Sequence, residues 1–362
     1  MKHTDLSALT VLAPADSKVM VDAFMAPLLS ERIEQARRIN PHYETLWQDV
    51  QTLYTAGGKR LRSYMTLLTF SAFSDAPIST ILPAAAAQEL LHTAMLIHDD
   101  IIDRDDIRYG VKNIGRSYQD HYEELIPDEA DRHHYASSAA ILAGDLLISE
   151  AYTLLSETEV DAKAVLASQK LLGRAIFQVV GGELLDTEAA FRGADAASPL
   201  VIAEQKTASY SFVSPLLMGA TLASAEIAQL ELLQRFGEQL GIAYQLRDDL
   251  LGMFGDSDTT GKSVDGDLKE GKRTLLIDEF YLRADEADKE VFNGLFGRHD
   301  LTDEDCETLR LLLVRSGAKA AVEAEIEGSR THVLHILDAL TMSDEHRHAY
   351  LALINACLNR AK

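Results

Sequence analysis

Apolar residues in this chain recur at i, i+3 and i+4 through Ile81 to Arg104, Ser137 to Leu155, Ala162 to Leu185, Leu200 to Leu222, Ile227 to Phe254 and Ala318 to Leu337. That spacing lays an apolar stripe along one side of an α-helix, and no run alternates with the period of two that a half-buried strand requires. Prolines fall at the edges of these segments: Pro77 and Pro83 bracket one turn, Pro127 marks another, and Pro199 precedes the helix expected from about Leu200. The pattern predicts an all-α protein of about ten or more helices.

The 362 residues, 47% of them hydrophobic, supply ample material for a buried core. No Ser/Gly-rich linker divides them, and chemistry-bearing motifs lie on both sides of the midpoint. One domain over 1–362 is expected, with 1–15 an N-terminal arm and 121–134 a polar surface excursion. The apolar start is short and holds Asp5, which favours an arm over a signal peptide. Adjacent His133 and His134 lack the i, i+4 spacing of a helical metal site. Acidic residues outnumber basic ones 57 to 34, a formal charge of -23. Such a surface repels polyanions, which argues against nucleic acid as a partner. An anionic substrate then needs a local basic patch or metal ions. Cys306 and Cys357 are too few for a disulfide framework and point to a reducing, cytoplasmic setting. Pro83, Gln88, Gly144 and Asp145 break the apolar runs short of the ~20 residues that cross a bilayer, so no transmembrane segment is expected.

Chemistry concentrates in a few places. In LIHDDIIDRDDIRYG, Asp99 and Asp103 lie four apart, on one face of a helix. Two close carboxylates repel unless a cation lies between them, and hard oxygen ligands suit Mg²⁺. A second acidic cluster, Asp248 and Asp249 in YQLRDD, is framed by core residues from Ile242 to Phe254, which a solvated helix face does not explain. Together two such segments are expected to hold several Mg²⁺ ions and clamp a diphosphate. Fixed cations accompany them. Gly57-Gly58-Lys59-Arg60-Leu61-Arg62 joins a glycine pair to three positive residues at a helix start, a setting suited to an anion. Arg108 and Lys112 follow the first acidic cluster, Lys206-Thr207 lies in another helix pattern, and Lys262 and Lys272 lie in the glycine-punctuated loop after the second. Gly261-Lys262-Ser263 imitates the end of a P-loop, but the spacing from Gly255 is one too long and no strand precedes it. The EF-hand likeness of the same loop fails at Ser263 and Asp267.

The motifs GGKRLR, ELLHTAMLIHDDIID, the Arg108 to Gly110 neighbourhood, AILAGDLL, QKTASYSF, YQLRDD and GKSVDGDLKEGKRTLL, in that order from about Gly57 to Leu276, resemble the trans-isoprenyl diphosphate synthases of the polyprenyl synthetase family. The resemblance implies a bundle of mostly antiparallel helices around a deep apolar cavity, usually as a homodimer. It implies Mg²⁺ on Asp99 and Asp103 with Asp100 in support, and on Asp248 with Asp249 in support. Lys59, Arg62 and His92 match positions that hold the diphosphate of isopentenyl diphosphate. Arg108, Lys206, Thr207, Gln245 and Lys262 match positions on the allylic diphosphate, with Lys272 a fainter match. Two departures stand out. The second acidic motif ends at Gly252 where many relatives have a third aspartate, and Tyr109 stands where an arginine is usual. Either Lys112 or another basic residue compensates for Tyr109, or affinity for isopentenyl diphosphate is low.

The implied reaction is ionisation of an allylic diphosphate, attack by the double bond of isopentenyl diphosphate, and proton loss. The family gauges product length five residues before Asp99, here Ala94, with Met95 next and Leu90 and Leu91 a turn below. Small Ala94 leaves room beyond a farnesyl chain and predicts a geranylgeranyl product. A farnesyl or longer-chain synthase, a class I terpene cyclase and a non-catalytic partner subunit are the alternatives. The lysine-rich loop after YQLRDD speaks against a cyclase, and the intact acidic motifs speak against a silent subunit.

Overall fold

The structure, a computed structural model, describes residues 11–192, 196–255 and 265–359. It is all-α apart from a two-residue ladder in which Ile107 pairs with Lys112 and Arg108 with Val111. The described chain gathers into two compact units. One runs to Leu171 and takes in Pro215–Ala225; the other comprises Leu172–Ser214 and the chain from Glu226 onward.

The first unit is built on α1 (Pro14–Ile39), α2 (Pro41–Ala56), α3 (Leu61–Phe73), α4 (Leu82–Ile102), α5 (Ile114–His121) and α6 (Glu129–Ser156). Helix α4 is its core, packed against α1, α3 and α6. Ala84 to Ala87 are all fully buried, and such short side chains allow close approach of neighbouring helices. Local signals fix the helix starts. Asn40 caps α2 through His42 N–H, Asp128 caps α6 through Asp131 N–H, and Pro41 and Pro83 occupy first-turn positions where no amide is needed. Of the polar stretch 121–134, residues 129–134 are the opening turns of α6.

The chain enters α7 (Ala162–Arg192) and continues through α8 (Pro199–Ile202), a π-helix (Ala203–Val213), α9 (Ser214–Leu222) and α10 (Ile227–Phe254). Then come α11 (Gly266–Glu270), α12 (Leu275–Arg283), α13 (Glu286–Leu295), α14 (Asp303–Arg315), α15 (Ala318–Ala339) and α16 (Asp344–Leu358). In the second unit α10 packs against the π-helix, α15 and α16. The periodicity from Leu200 to Leu222 predicts one α-helix, and the structure corrects this to three pieces. Its middle is wound wider, and the glycines Gly182, Gly237 and Gly241 bring α7 and α10 against its backbone.

Two helical stretches, Ile78–Ile102 and Glu129–Ser156, are long and apolar enough by composition to cross a membrane. This revises the expectation that no run approaches that length. Isolated Pro83, Gln88, Gly144 and Asp145 interrupt the runs without lowering their mean hydropathy far. Two thirds of the apolar window in the first stretch is buried within the protein, as befits a core helix.

Candidate active site

Helix α4 carries the first acidic motif at its C-terminal end. Asp103 is the C-cap, its amide bonded to Asp99 C=O at 2.8 Å. Asp103 is exposed and Asp99 half-buried. These are hard oxygen donors in a setting that fits a divalent cation. Asp100 lies about 100° further round the helix and is 4% exposed. One of its oxygens takes the Arg108 guanidinium, with Nε at 2.7 Å; the other is buried with no hydrogen-bond partner. Burial lifts the Asp100 carboxyl to about 6, against the pull of Arg108 and with help from Asp99 and Asp105. Arg108 also reaches Asp99 at 3.3 Å and Asp105 at 3.4 Å. The hairpin therefore delivers Arg108 onto the acidic motif, where it braces Asp100.

The basic motif before α3 divides into separate tasks. Lys59 is exposed and makes no ion pair among the described residues. Arg60 turns inward: its Nε meets Asp22 at 2.8 Å and Nη2 meets Tyr54 C=O at 2.7 Å. The start of α3 is already occupied, because Glu89 of α4 accepts Ser63 N–H at 2.9 Å and Ser63 Oγ at 3.1 Å. Arg62 is half-buried. His92, one turn from Glu89, is held neutral by burial first, and then by Arg62, Arg108 and Arg60. Tyr109 has a left-handed backbone (φ 54°), and its ring lies on Gly57, where a Cβ would come within 2.7 Å of it. Lys112 is drawn away to Asp120. Ala94 and Leu91 are fully buried, whereas Met95, on the Asp99 side of α4, is half-buried.

In the second unit, adjacent residues of the π-helix are pulled to different neighbours. Lys206 Nζ meets Asp186 at 2.7 Å and Glu183 at 2.9 Å on α7. Thr207 Oγ1 donates to Gln245 Oε1 at 2.6 Å on α10, and Gln245 Nε2 donates to Asp249 at 2.8 Å. A cavity of about 40 Å³ lies here, its wall including Lys206, Thr207, Gln245, Asp249, Lys272 and Asp186. Burial raises Asp249 to about 6, while Lys272 and Gln245 oppose the rise. Burial also works against the Lys272 ammonium, but Asp186, Asp249 and Asp267 outweigh it and hold its pKa above the ordinary value. Asp248 is half-buried beside Asp249 on α10. At Gly252, the position of the missing third aspartate, a Cβ would stand 2.8 Å from the Asp267 carboxylate. Arg247 is structural, donating to Leu358 C=O at 2.9 Å. Lys262 lies outside the described residues.

Sequence reasoning missed Glu183 and Asp186, and it grouped Arg60 with the anion-binding residues of its motif, whereas the side chain turns inward to Asp22 and Tyr54. The first two were signalled by an acidic pair three apart after Gly181-Gly182. Nothing in the pattern separates inward-turned Arg60 from its basic neighbours.

An all-α chain with basic side chains suited to a diphosphate and paired aspartates on two of its helices has the makings of a prenyltransferase, and its relatives define which kind. A model of the polyprenyl synthetase family matches residues 44–312, and the chain belongs to that family. It is 32% identical over 275 residues to a geranylgeranyl diphosphate synthase of Methanosarcina mazei, covering 76% of this chain and 78% of that one. It is also 32% identical over 262 residues to a short chain isoprenyl diphosphate synthase of Methanocaldococcus jannaschii, covering 72% and 74%. A crystal structure of a geranylgeranyl pyrophosphate synthase from Corynebacterium glutamicum, complexed with isoprenyl diphosphate and magnesium, superposes with a TM-score of 0.88 at 28% identity, covering 97% of this chain and all of that one.

Proposed function

We propose that this enzyme condenses isopentenyl diphosphate with an allylic diphosphate and releases geranylgeranyl diphosphate. The observation that carries the reading is the first acidic motif: two accessible carboxylates, Asp99 and Asp103, end a buried helix with Arg108 beside them. Relatives named for geranylgeranyl products support the product length.

Asp99 and Asp103 would hold Mg²⁺, as would Asp248, with Asp100 and Asp249 behind them. When bound, the metal takes up negative charge as pyrophosphate leaves. Arg108, Lys206, Lys262 and Lys272 add fixed positive charge for the allylic diphosphate, and Thr207 and Gln245 orient it through hydrogen bonds. Lys59 and Arg62 bind the diphosphate of isopentenyl diphosphate. Neutral His92 serves there as a hydrogen-bond partner. Apolar walls keep water from the allylic cation. Met95 and Ala94, with Leu91 below, set the depth available to the tail.

The reading includes one polyprenyl synthetase domain over the whole chain, consistent with a backbone that leaves the first unit at Leu171 and returns to it for Pro215–Ala225. It also includes a cytoplasmic setting, in keeping with two buried cysteines that form no disulfide, and a homodimer. The purified protein incubated with Mg²⁺, labelled isopentenyl diphosphate and farnesyl diphosphate is expected to yield geranylgeranyl diphosphate on chromatography. Asp99→Ala should lower kcat by about 10³-fold. A mainly farnesyl or much longer product would defeat the chain-length reading, and an inert wild type would favour a non-catalytic partner subunit.

A further inference from the structure

Lys59 stands between two residues with left-handed backbone, Gly58 (φ 98°) and Arg60 (φ 52°). Glycine adopts that conformation freely, but arginine does so only when its surroundings enforce it. The surroundings of Arg60 do. Its side chain is 6% exposed. The guanidinium is gripped by Asp22 of α1 at 2.8 Å and by the Tyr54 carbonyl at 2.7 Å, and it lies 4.0 Å from the centre of the Tyr54 ring. Gly58 is part of the same fitting, since a Cβ there would meet Arg60 Nη1 at 2.9 Å. The Arg60 carbonyl accepts Ser63 Oγ at 2.9 Å, and Ser63 is fixed in turn by buried Glu89. Both faces of this turn are thereby tied to α1, α2 and α4, while Lys59 projects into solvent.

We propose that Arg60 is a positioning residue for isopentenyl diphosphate: clamped by Asp22 and Tyr54, it locks the left-handed turn that presents Lys59 and Arg62. It touches no substrate itself. The inference rests on the reading of Lys59 and Arg62 as ligands of that diphosphate.

The test is steady-state kinetics with the two substrates varied separately. Arg60→Gly permits the left-handed turn but removes the clamp. It should raise KM for isopentenyl diphosphate about tenfold, with a smaller loss in kcat and KM for the allylic substrate nearly constant. Asp22→Asn, at a half-exposed partner that will not threaten folding, should raise the same KM about threefold, and Arg60→Lys should fall between wild type and Arg60→Gly. Because Arg60 acts through Lys59 and Arg62, adding Arg60→Gly to the pair Lys59→Ala, Arg62→Ala should worsen that pair little. Multiplying effects, or equal rises in both KM values, would overturn the proposal while leaving the assignment of Lys59 intact. If Lys59→Ala leaves KM for isopentenyl diphosphate unchanged, that assignment fails and takes the proposal with it.

Discussion

At the scale of single residues, side chains that look alike in the sequence have been given opposite tasks. Arg60 and Arg62 are two apart in one basic motif, yet only the fold reveals that Arg60 is a buried brace. Its partner Asp22 is 38 residues away, beyond the reach of any local pattern. The acidic motif was more legible, because spacing on a helix separates Asp99 and Asp103 from Asp100 before any tertiary contact is known. His92 was legible only through resemblance, and its environment now yields a stability prediction. A histidine whose folded-state pKa is depressed takes up its proton mainly in the unfolded chain. The resulting stability is fully present above the ordinary value of 6.5 and is lost as pH falls through it. His92→Gln removes this titration. From pH 6.5 to 5 the stability of wild type relative to the variant should fall by up to about 1.4 kcal/mol per pH unit, measured by urea unfolding. Parallel curves would mean that His92 charges in the folded protein.

At the scale of elements, the periodic helices were readable and the π-helix was not. Helix α10 begins and ends where its apolar period predicts, Ile227 to Phe254. From 200 to 222 the same kind of period is read from the sequence, although eleven residues, Ala203–Val213, are wound as a π-helix. The π-helix has tertiary neighbours that no local pattern displays: glycines on two adjoining helices allow backbone to approach backbone. This winding places Lys206 toward α7 and Thr207 toward α10, so disturbing it should affect the allylic substrate in particular. Gly241→Ala would put a Cβ 2.5 Å from Cα of Ala208, where backbone rather than a flexible side chain must yield. The expected cost is about 1–3 kcal/mol in stability. A rise in KM for the allylic substrate should exceed that for isopentenyl diphosphate. Equal changes in both constants would show that the π-helix is packing alone.

At the scale of the whole molecule, the question left by the apolar surface is what covers it. Helix α7 exposes Phe177 (82%), Val180 (56%) and Leu184 (60%) at i, i+3 and i+7, a stripe on one helix face. The periodicity from Ala162 to Leu185 revealed the helix but could not show which of its apolar positions stay outside. Composition reports how much apolar surface a chain has, whereas burial depends on which neighbours the fold supplies. Side chains of this kind gain roughly 1.5–3 kcal/mol each when removed from water. A second copy of the chain meeting the stripe with its own is the simplest way to realise that gain in a symmetric pair. The gain must also exceed the entropy lost on association, so losing part of the stripe should be enough to shift the equilibrium. The wild type is therefore expected to run at twice the chain mass in light scattering coupled to size exclusion. Phe177→Glu with Leu184→Glu should move it toward a single-chain mass at micromolar concentration, with its helical circular dichroism retained. A doubly substituted protein that keeps the wild-type mass would show that α7 faces solvent, and a wild type of single-chain mass would rule out the homodimer.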